Sequence, residues 1–396
     1  MPQDVSELDA ELRAELDDIA RAGLHRRLIP IDTATDAEVE VDGERFVLLS
    51  SNNYLGLANH PALKAAAREA IDRFGSGTGS SRLIAGHSTL HAAIEAKLAA
   101  FKGTEAALFF TSGYQANVGT ITALVGRGDY VFSDELNHAS IIDGCRLSRA
   151  TTHVYPHCNL QALETALAGT PTGGRRLIVS DSVFSMDGDR APLAELVAIA
   201  EHYHSVLMLD EAHATGILGA RGAGLADALG LGSRVPVQMG TLGKALGSAG
   251  AYVAGSRALV DVLVNRARSF IFTTGLAPAS VAAAGAALDV IAAEPERRCA
   301  LADNVAYLRA GLEALGFDVA GNAHILPVML GDNTRTVTFA AALRRHGVLV
   351  HPIRPPTVPA GTARLRVTPI ATHTRPQLER ALDAFGAVAR ELGGAR

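Results

Sequence analysis

The chain has 396 residues, 48% of them hydrophobic and 19% charged, with 39 Gly, 16 Pro and a formal net charge of −5. That length exceeds one ordinary hydrophobic core and suits two domains, and the composition argues against a disordered, collagen-like or coiled-coil chain. The slight acidity argues against a nucleic-acid binder, and three scattered cysteines (Cys145, Cys158, Cys299) without a CxxC pair point to a reduced, metal-free interior.

The N-terminal residues include Asp4, Glu7, Asp9, Glu11, Glu15, Asp17 and Asp18, which is neither the basic start nor the apolar core of a signal peptide. No charge-free apolar run reaches membrane-spanning length, so no membrane is expected as a partner and the expected location is the cytoplasm. Residues 5–22 read as an acidic amphipathic helix closing at Gly23, and residues 39–47 as a hairpin around Asp42-Gly43. Pro61 opens a helix with Leu63, Ala67, Ala70, Ile71 and Phe74 on one face. A second helix follows from Ser88 to Lys102, with Leu90, Ile94, Leu98 and Phe101 as its stripe.

After residue 105 short apolar runs alternate with helical stretches. They are Ala107–Phe110, Tyr130–Phe132, Leu177–Val179, Val206–Leu209, Val235–Met239 and Ala251–Ala254. Continuous apolar runs between helices predict strands buried on both faces, hence an α/β fold with a largely parallel sheet and ligands at the carboxyl ends of its strands. From residue 279 helices dominate, with candidate strands at 326–330, 348–350 and 364–367. The expected division is an N-terminal segment (1–48), a large domain (49–278) and a small C-terminal α+β domain (279–396).

Only four of the 36 basic residues are Lys. Lys64, Lys97 and Lys102 lie on predicted helices, where surface, snorkelling and helix-end roles account for them. Lys244 stands alone in Gly240-Thr-Leu-Gly-Lys244-Ala-Leu-Gly247. A Lys in tight, apolar, Gly-rich backbone loses solvation and becomes a candidate Schiff-base amine. A solvent-exposed loop lysine is the other local reading; a phosphate-loop lysine is not, because Ala245 follows it.

Asp210 directly follows a buried run in Leu209-Asp-Glu-Ala-His213, where its carboxylate suits a positive ring nitrogen or a helix cap. His138 follows another run, as a ring-stacking or acid/base group, or as a cap or core histidine. Ser112-Gly113-Tyr114 opens a helix whose free N–H groups suit a phosphate, and Thr241 adds a hydroxyl. The Gly75–Gly79 glycines follow a helix rather than a strand, so they read as a substrate-covering loop and not as a dinucleotide fingerprint. An amine, a ring-nitrogen partner, a flat imidazole and a phosphate cradle at one sheet edge are what pyridoxal phosphate requires.

From about Ser51 to Ala389 the chain resembles the α-oxoamine synthases, a family of fold-type I pyridoxal-phosphate enzymes. The resemblance rests on Ser51-Asn-Asn-Tyr-Leu-Gly-Leu57, Asn137-His-Ala-Ser140, Val183-Phe-Ser-Met-Asp-Gly188, Asp210-Glu-Ala-His213 and Gly240-Thr-Leu-Gly-Lys244. It implies that Lys244 bonds the cofactor aldehyde and then takes the amino acid's α-proton, while Asp210 keeps the pyridine nitrogen protonated. It implies that His138 stacks on the ring, that His213 and Ser185 bond the phenolic oxygen side, and that Ser112, Gly113, Tyr114 and Thr241 hold cofactor and phosphate. Thr273 and Thr274 would reach the phosphate of a neighbouring subunit, which implies a homodimer with shared sites. Arg366 would clamp the amino-acid carboxylate, with Asn53 and His138 nearby, and Thr357 would contact substrate. The family's N-terminal arginine, set against the acyl thioester, falls at Arg26, with His25 the alternative. Phe272 stands where some relatives have Tyr. The segment Arg354–Arg366 resembles members that join L-alanine to a pimeloyl thioester, carried on CoA or a carrier protein. Segments 136–144 and 240–247 resemble equally those that join glycine to acetyl-CoA.

Overall fold

The computed structural model describes residues 5–394; Asp4 and the outermost ends of the expected first and last segments lie outside them. The chain divides into two compact units. It begins in the smaller with α1 (Val5–Arg21), β1 (Glu38–Val41) and β2 (Glu44–Leu48). The larger unit runs from Asn52 to Asp303 and includes Ile370–Thr372. Its elements begin with α2 (Pro61–Phe74), α3 (Thr89–Lys102), β3 (Ala106–Phe110), α4 (Gly113–Leu124), β4 (Tyr130–Asp134) and α5 (Ala139–Ser148). They continue with β5 (Thr151–Tyr155), α6 (Leu160–Ala168), β6 (Arg176–Asp181), α7 (Leu193–His202), β7 (Val206–Asp210), α8 (Leu225–Ala228), β8 (Val237–Thr241) and β9 (Ala251–Gly255). Helices α9 (Arg257–Arg266), α10 (Arg268–Ile271) and α11 (Pro278–Ala293) follow. Through α12 (Glu296–Ala314) the chain returns to the smaller unit, which adds β10 (Leu326–Gly331), α13 (Asn333–Arg345), β11 (Val348–Leu349), β12 (His351–Ile353), β13 (Ala363–Val367) and α14 (Arg375–Glu391).

The larger unit is built on a seven-stranded sheet in the order β3-β9-β8-β7-β6-β4-β5. Its β5/β4, β4/β6, β6/β7 and β7/β8 pairs are parallel, and β9 runs antiparallel to both neighbours. The carboxyl ends of β3, β4, β6, β7 and β8 therefore share one edge. Strands β3, β8 and β9 are buried along their whole length, as unbroken apolar runs with helices on both sides require. Strand β5 is largely exposed and polar, an edge strand that no apolar run announces.

Three side chains sit otherwise than the helical stripes suggest. Ile71, placed on the inner face of α2, is exposed, whereas Leu63 and Ala70 are buried there. Lys97 forms an ion pair with Asp289 of α11 at 2.7 Å instead of merely snorkelling. Lys102 is no surface residue at a helix end: its ammonium is buried and pairs with buried Glu211 while donating to the Ala223 carbonyl.

In the smaller unit β1 and β2 form the expected hairpin, and β11 pairs parallel with β2. A second sheet, β10-β13-β12, is antiparallel. Phe317, Phe339 and Phe385 meet in its core beside Val47, Leu49, Leu326, Leu365 and Leu378. The expected boundaries shift accordingly. Helix α11, assigned by sequence to the C-terminal domain, packs on α2 and α3 of the larger unit, and the N-terminal hairpin is not a segment apart but a piece of the smaller unit's core. Among the described residues no helix is long and apolar enough to cross a membrane.

Candidate active site

The shared strand edge of the larger unit encloses a cavity of about 200 Å³. Eight of the sequence candidates line it together: Gly113, Tyr114, His138, Ser185, Asp210, His213, Thr241 and Lys244. Each stands at a strand end or in the turn that follows, where parallel pairing aligns side chains from separate crossovers.

Lys244 is half-buried, and its Nζ lies 2.8 Å from Nε2 of His213. On the ring's other side Nδ1 meets the Tyr54 hydroxyl at 2.7 Å, and that hydroxyl also lies 3.0 Å from Oδ1 of Asn52. An amide oxygen only accepts, so the phenol proton points to Asn52 and the phenol oxygen accepts from Nδ1–H. This leaves the Nε2 lone pair facing the Lys244 ammonium. An exposed, unengaged loop lysine is thereby ruled out.

Asp210 is buried, its Oδ1 accepting from Ala212 N at 2.8 Å and its Oδ2 from Asn117 Nδ2 at 2.7 Å. The Ala212 bond closes a turn and caps no helix, since the next one, α8, begins at Leu225 behind Gly224; Asp210 itself lines the cavity. Its register partner on β6 is Asp181, also buried. Burial, with repulsion from Asp210, pushes the Asp181 carboxyl well above its usual range, against the pull of the His138 N–H and of Lys244. Lys244, which has no carboxylate near it in sequence, therefore has two across the sheet edge. His138 both caps α5 and lines the cavity, its Nδ1 2.7 Å from the Ser140 hydroxyl. Burial lowers its pKa, Asp210 opposes this and Lys244 adds to it, so the imidazole is held neutral at neutral pH.

At the N-terminus of α4, Ser112 serves as cap, its Oγ accepting from Gln115 N at 3.2 Å, while Gly113 and Tyr114 open the first turn. A Cβ on Gly113 would meet Thr241 Cγ2 at 2.6 Å and Met239 Cε at 3.2 Å, so only glycine allows this close approach. Ser112, Asn53, Thr273 and Thr274 do not line the cavity. Asn53 closes a turn by accepting from Ala58 N, Thr273 Oγ1 accepts from Gln115 Nε2 at 3.4 Å, and Thr274 bridges to Ser81.

Sequence reasoning assigned no role to four groups here: Tyr54, Asn117, Ser140 and Asp181. Asp181 carries the signal that marked Asp210, a carboxylate closing a buried apolar run. Asn117 Oδ1 is buried without a partner at the cavity wall, as expected of a site completed by a polar ligand.

In the smaller unit Arg366 lies on β13, buried, opposite His351 of β12. Burial and then Arg354, Arg26 and Arg366 depress the His351 pKa, which marks a cationic cluster. Arg26 Nη2 reaches the Pro355 carbonyl at 3.4 Å, in the turn that leads to Thr357, whereas His25 offers its own carbonyl to Arg354. Of the two candidates, Arg26 is the one whose side chain meets that turn.

These residues fit pyridoxal phosphate. Asp210 would hold its ring nitrogen, His138 a ring face, the α4 N-terminus with Thr241 its phosphate, and Lys244 its aldehyde carbon. Comparison with known proteins agrees. The aminotransferase class I and II family model matches residues 44–385. An 8-amino-7-oxononanoate synthase of Geobacter sulfurreducens is 52% identical over 385 residues, covering 96% of this chain and 98% of that protein. One from Anaeromyxobacter is 54% identical over 380 residues, covering 96% and 95%. Among solved structures, a serine palmitoyltransferase from S. paucimobilis with bound PLP and myriocin superposes with a TM-score of 0.93 at 34% identity, over 99% of this chain and 100% of that one. An 8-amino-7-oxononanoate synthase of Francisella tularensis gives 0.75 at 27%, over 88% and 99%. The chain thus belongs to the class I and II aminotransferase family and, within it, to the α-oxoamine synthases, which are pyridoxal-phosphate-dependent acyltransferases.

Proposed function

We propose that the protein condenses L-alanine with a pimeloyl thioester, carried on CoA or a carrier protein. The products would be 8-amino-7-oxononanoate, the free thiol carrier and CO₂, in biotin biosynthesis. The observation that carries this reading is the identity of more than half, over nearly the whole chain, to synthases of that product. When bound, pyridoxal phosphate supplies an aldehyde for the amine and a ring that takes up the electron pair left when the α-proton departs. Lys244 Nζ removes and returns that proton, and His213 accepts its hydrogen bond, fixing its direction. Asp210, itself anchored by Asn117 and Ala212, keeps a proton on the ring nitrogen. In the smaller unit, the cationic group of Arg26, Arg354 and Arg366 around His351 suits substrate carboxylates, with Thr357 on the adjoining turn. We assign Asn53 to the same substrate.

Offering Ala, Gly or Ser with pimeloyl-, acetyl-, succinyl- and palmitoyl-CoA, and measuring CoA release, tests the substrates. Alanine with pimeloyl-CoA is expected to be fastest; a preference for glycine with acetyl-CoA would replace this reading with the glycine acyltransferase one. Asp210→Asn tests the chemistry. Its kcat should fall about a hundred- to a thousand-fold while Lys244 still takes up the cofactor, visible as an absorbance band. Full activity would remove Asp210 from its role.

The active form is proposed to be a homodimer in which Thr273 and Thr274 serve the partner's phosphate site. Exposed Leu83, Ile84 and Phe272, on segments joined by the Ser81–Thr274 bridge, supply an apolar surface for a second copy. A monomer in sedimentation at working concentration would refute it.

A further inference from the structure

Outside the residues that line the cavity, the His157 ring lies between two carboxylates. Its Nδ1 is 2.9 Å from Oδ1 of Asp134, at the end of β4, and its Nε2 is 2.8 Å from Oδ2 of Asp189, in the loop after β6. The ring stands edge-on to Phe184 with centroids 4.4 Å apart. Carboxylates only accept, so both ring nitrogens donate and the ring is an imidazolium. Burial opposes this charge, but hydrogen bonds to Asp134 and Asp189, then Cys158, outweigh it and push His157 up to about 12. Its own N–H donates to Glu135, the other acid nearby. Asp134, His157 and Cys158 bring donor atoms within 4.8 Å of one another, a spacing a metal ion could use. Such an ion would have to displace hydrogen bonds that already occupy both ring nitrogens.

The two carboxylates belong to the two loops that deliver cavity groups. Asp134 organises the turn leading to His138: its Oδ1 also accepts from Leu136 N, its Oδ2 from Cys158 N, and its carbonyl from Asn137 N. Asp189 lies on the returning arm of a tight loop in which Val183 bridges Arg190 and Phe184 N donates to the Asp189 carbonyl at 3.0 Å. Ser185, at the turn of that loop, lines the same cavity as His138, the cap of α5. The turn before His138 is joined to the end of β6 by Asn137, whose Nδ2 donates to the Val179 carbonyl at 2.8 Å and whose Oδ1 accepts from Asp181 N at 2.9 Å, and by the His138 N–H to Asp181. The ring of His157 adds the tie that reaches past β6 to the returning arm of the Ser185 loop at Asp189.

We propose that His157 is a positioning residue of the cofactor site, a permanently charged bridge between Asp134 and Asp189 that fixes the separation of His138 from Ser185. His157 is not among the residues that line the cavity, and the proposal rests on the pyridoxal phosphate site, whatever the amino acid and acyl group prove to be.

The first test uses the wild-type protein labelled with ¹⁵N histidine, His157 being assigned by its loss in His157→Gln. Both ring nitrogens should carry protons, without titration, from about pH 6 to pH 9. A neutral His157 at pH 7 overturns the proposal. The second test titrates apoprotein with pyridoxal phosphate. In Asp189→Asn the bridge loses one charged end while the loop keeps its shape. The cofactor dissociation constant should rise about tenfold, as when an outer partner of a metal ligand is removed, with thermal unfolding of the apoprotein little changed. Asp189→Glu should recover part of that loss. Folded Asp189→Asn with unaltered cofactor affinity overturns the proposal. So does an Asp189→Asn chain that cannot fold, since the bridge would then serve the unit's stability rather than its site. None of these readouts depends on turnover, so a wrong choice of substrates would leave them unaffected.

Discussion

At the residue scale the site turns on a relay that ends at an amide oxygen. Asn52 orders the Tyr54 hydroxyl, Tyr54 orders the His213 tautomer, and His213 orients Lys244. Tyr54→Phe removes the acceptor for Nδ1–H without opening a large void, so His213 loses its reason to present a lone pair to the ammonium. The expected result is a fall in kcat of about tenfold or more with the cofactor still bound. Steady-state rates beside a cofactor titration separate this from simple loss of the group; an unchanged kcat would leave the relay without function. Most of the site was legible because its residues punctuate apolar runs: a Lys among glycines, an acid or a His where a buried strand ends. Asn117 and Tyr54 give no such sign. Asn117 lies mid-helix and finds Asp210 across 93 positions, and Tyr54 lies in a loop and finds His213 across 159. Only the closed sheet edge makes those pairs.

At the element scale the clearest reversal is α3. A Lys in the last turn of a helix suits the macrodipole, and on sequence alone a surface role follows. The structure instead turns that last turn inward, so that Lys102 and Glu211, neighbour of Asp210, form an ion pair with both side chains buried. Glu211 also accepts from Ala226 N and so pins the start of α8. Burial disfavours the ammonium charge, but Glu211 more than compensates and the Lys102 pKa is raised. Lys102→Met strands a buried carboxylate, with an expected loss of about 3–5 kcal/mol in denaturant unfolding. Adding Glu211→Gln should recover much of it, because the uncompensated charge is gone. Equal losses in the single and double variants would mean that packing, not charge, sets the cost. Strand β5 escaped notice for a related reason. As an edge strand with exposed Thr151, Thr152 and Val154 it satisfies only one neighbour, so its sequence lacks the doubly buried signature that exposed the inner strands.

At the scale of the whole molecule the alternation of strands and helices was readable, but neither the order of the strands in the sheet nor the ownership of segments was. Hydropathy follows the chain, whereas the smaller unit gathers pieces from both ends of it. Its strand β2 pairs with β1 on one side and β11 on the other, and is buried on both faces. Phe46 and Leu48 pack with Val39, Val41 and Leu349, while Val47 and Leu49 enter the core around Phe339 and Phe385. Thr368 closes the arrangement by donating to the Leu49 carbonyl at 2.8 Å. Helix α1 is different: Leu8, Leu12 and Leu16 are exposed, so in a single chain it covers little. Removing residues 1–22 should leave the amide protection of β11 and β13 as it is. Removing residues 1–51 deletes the six buried apolar side chains Val39, Val41, Phe46, Val47, Leu48 and Leu49, each worth about 1.5–3 kcal/mol, together comparable to a domain's whole net stability of about 5–15 kcal/mol. Hydrogen exchange should then show Val348, Leu349 and the β13 amides unprotected in the longer truncation, while β6, β7 and β8 of the larger unit keep theirs. Persisting protection at β11 in that truncation would mean that the C-terminal pieces fold without the N-terminal hairpin, and that the sequence-based boundary at residue 48 was the better one.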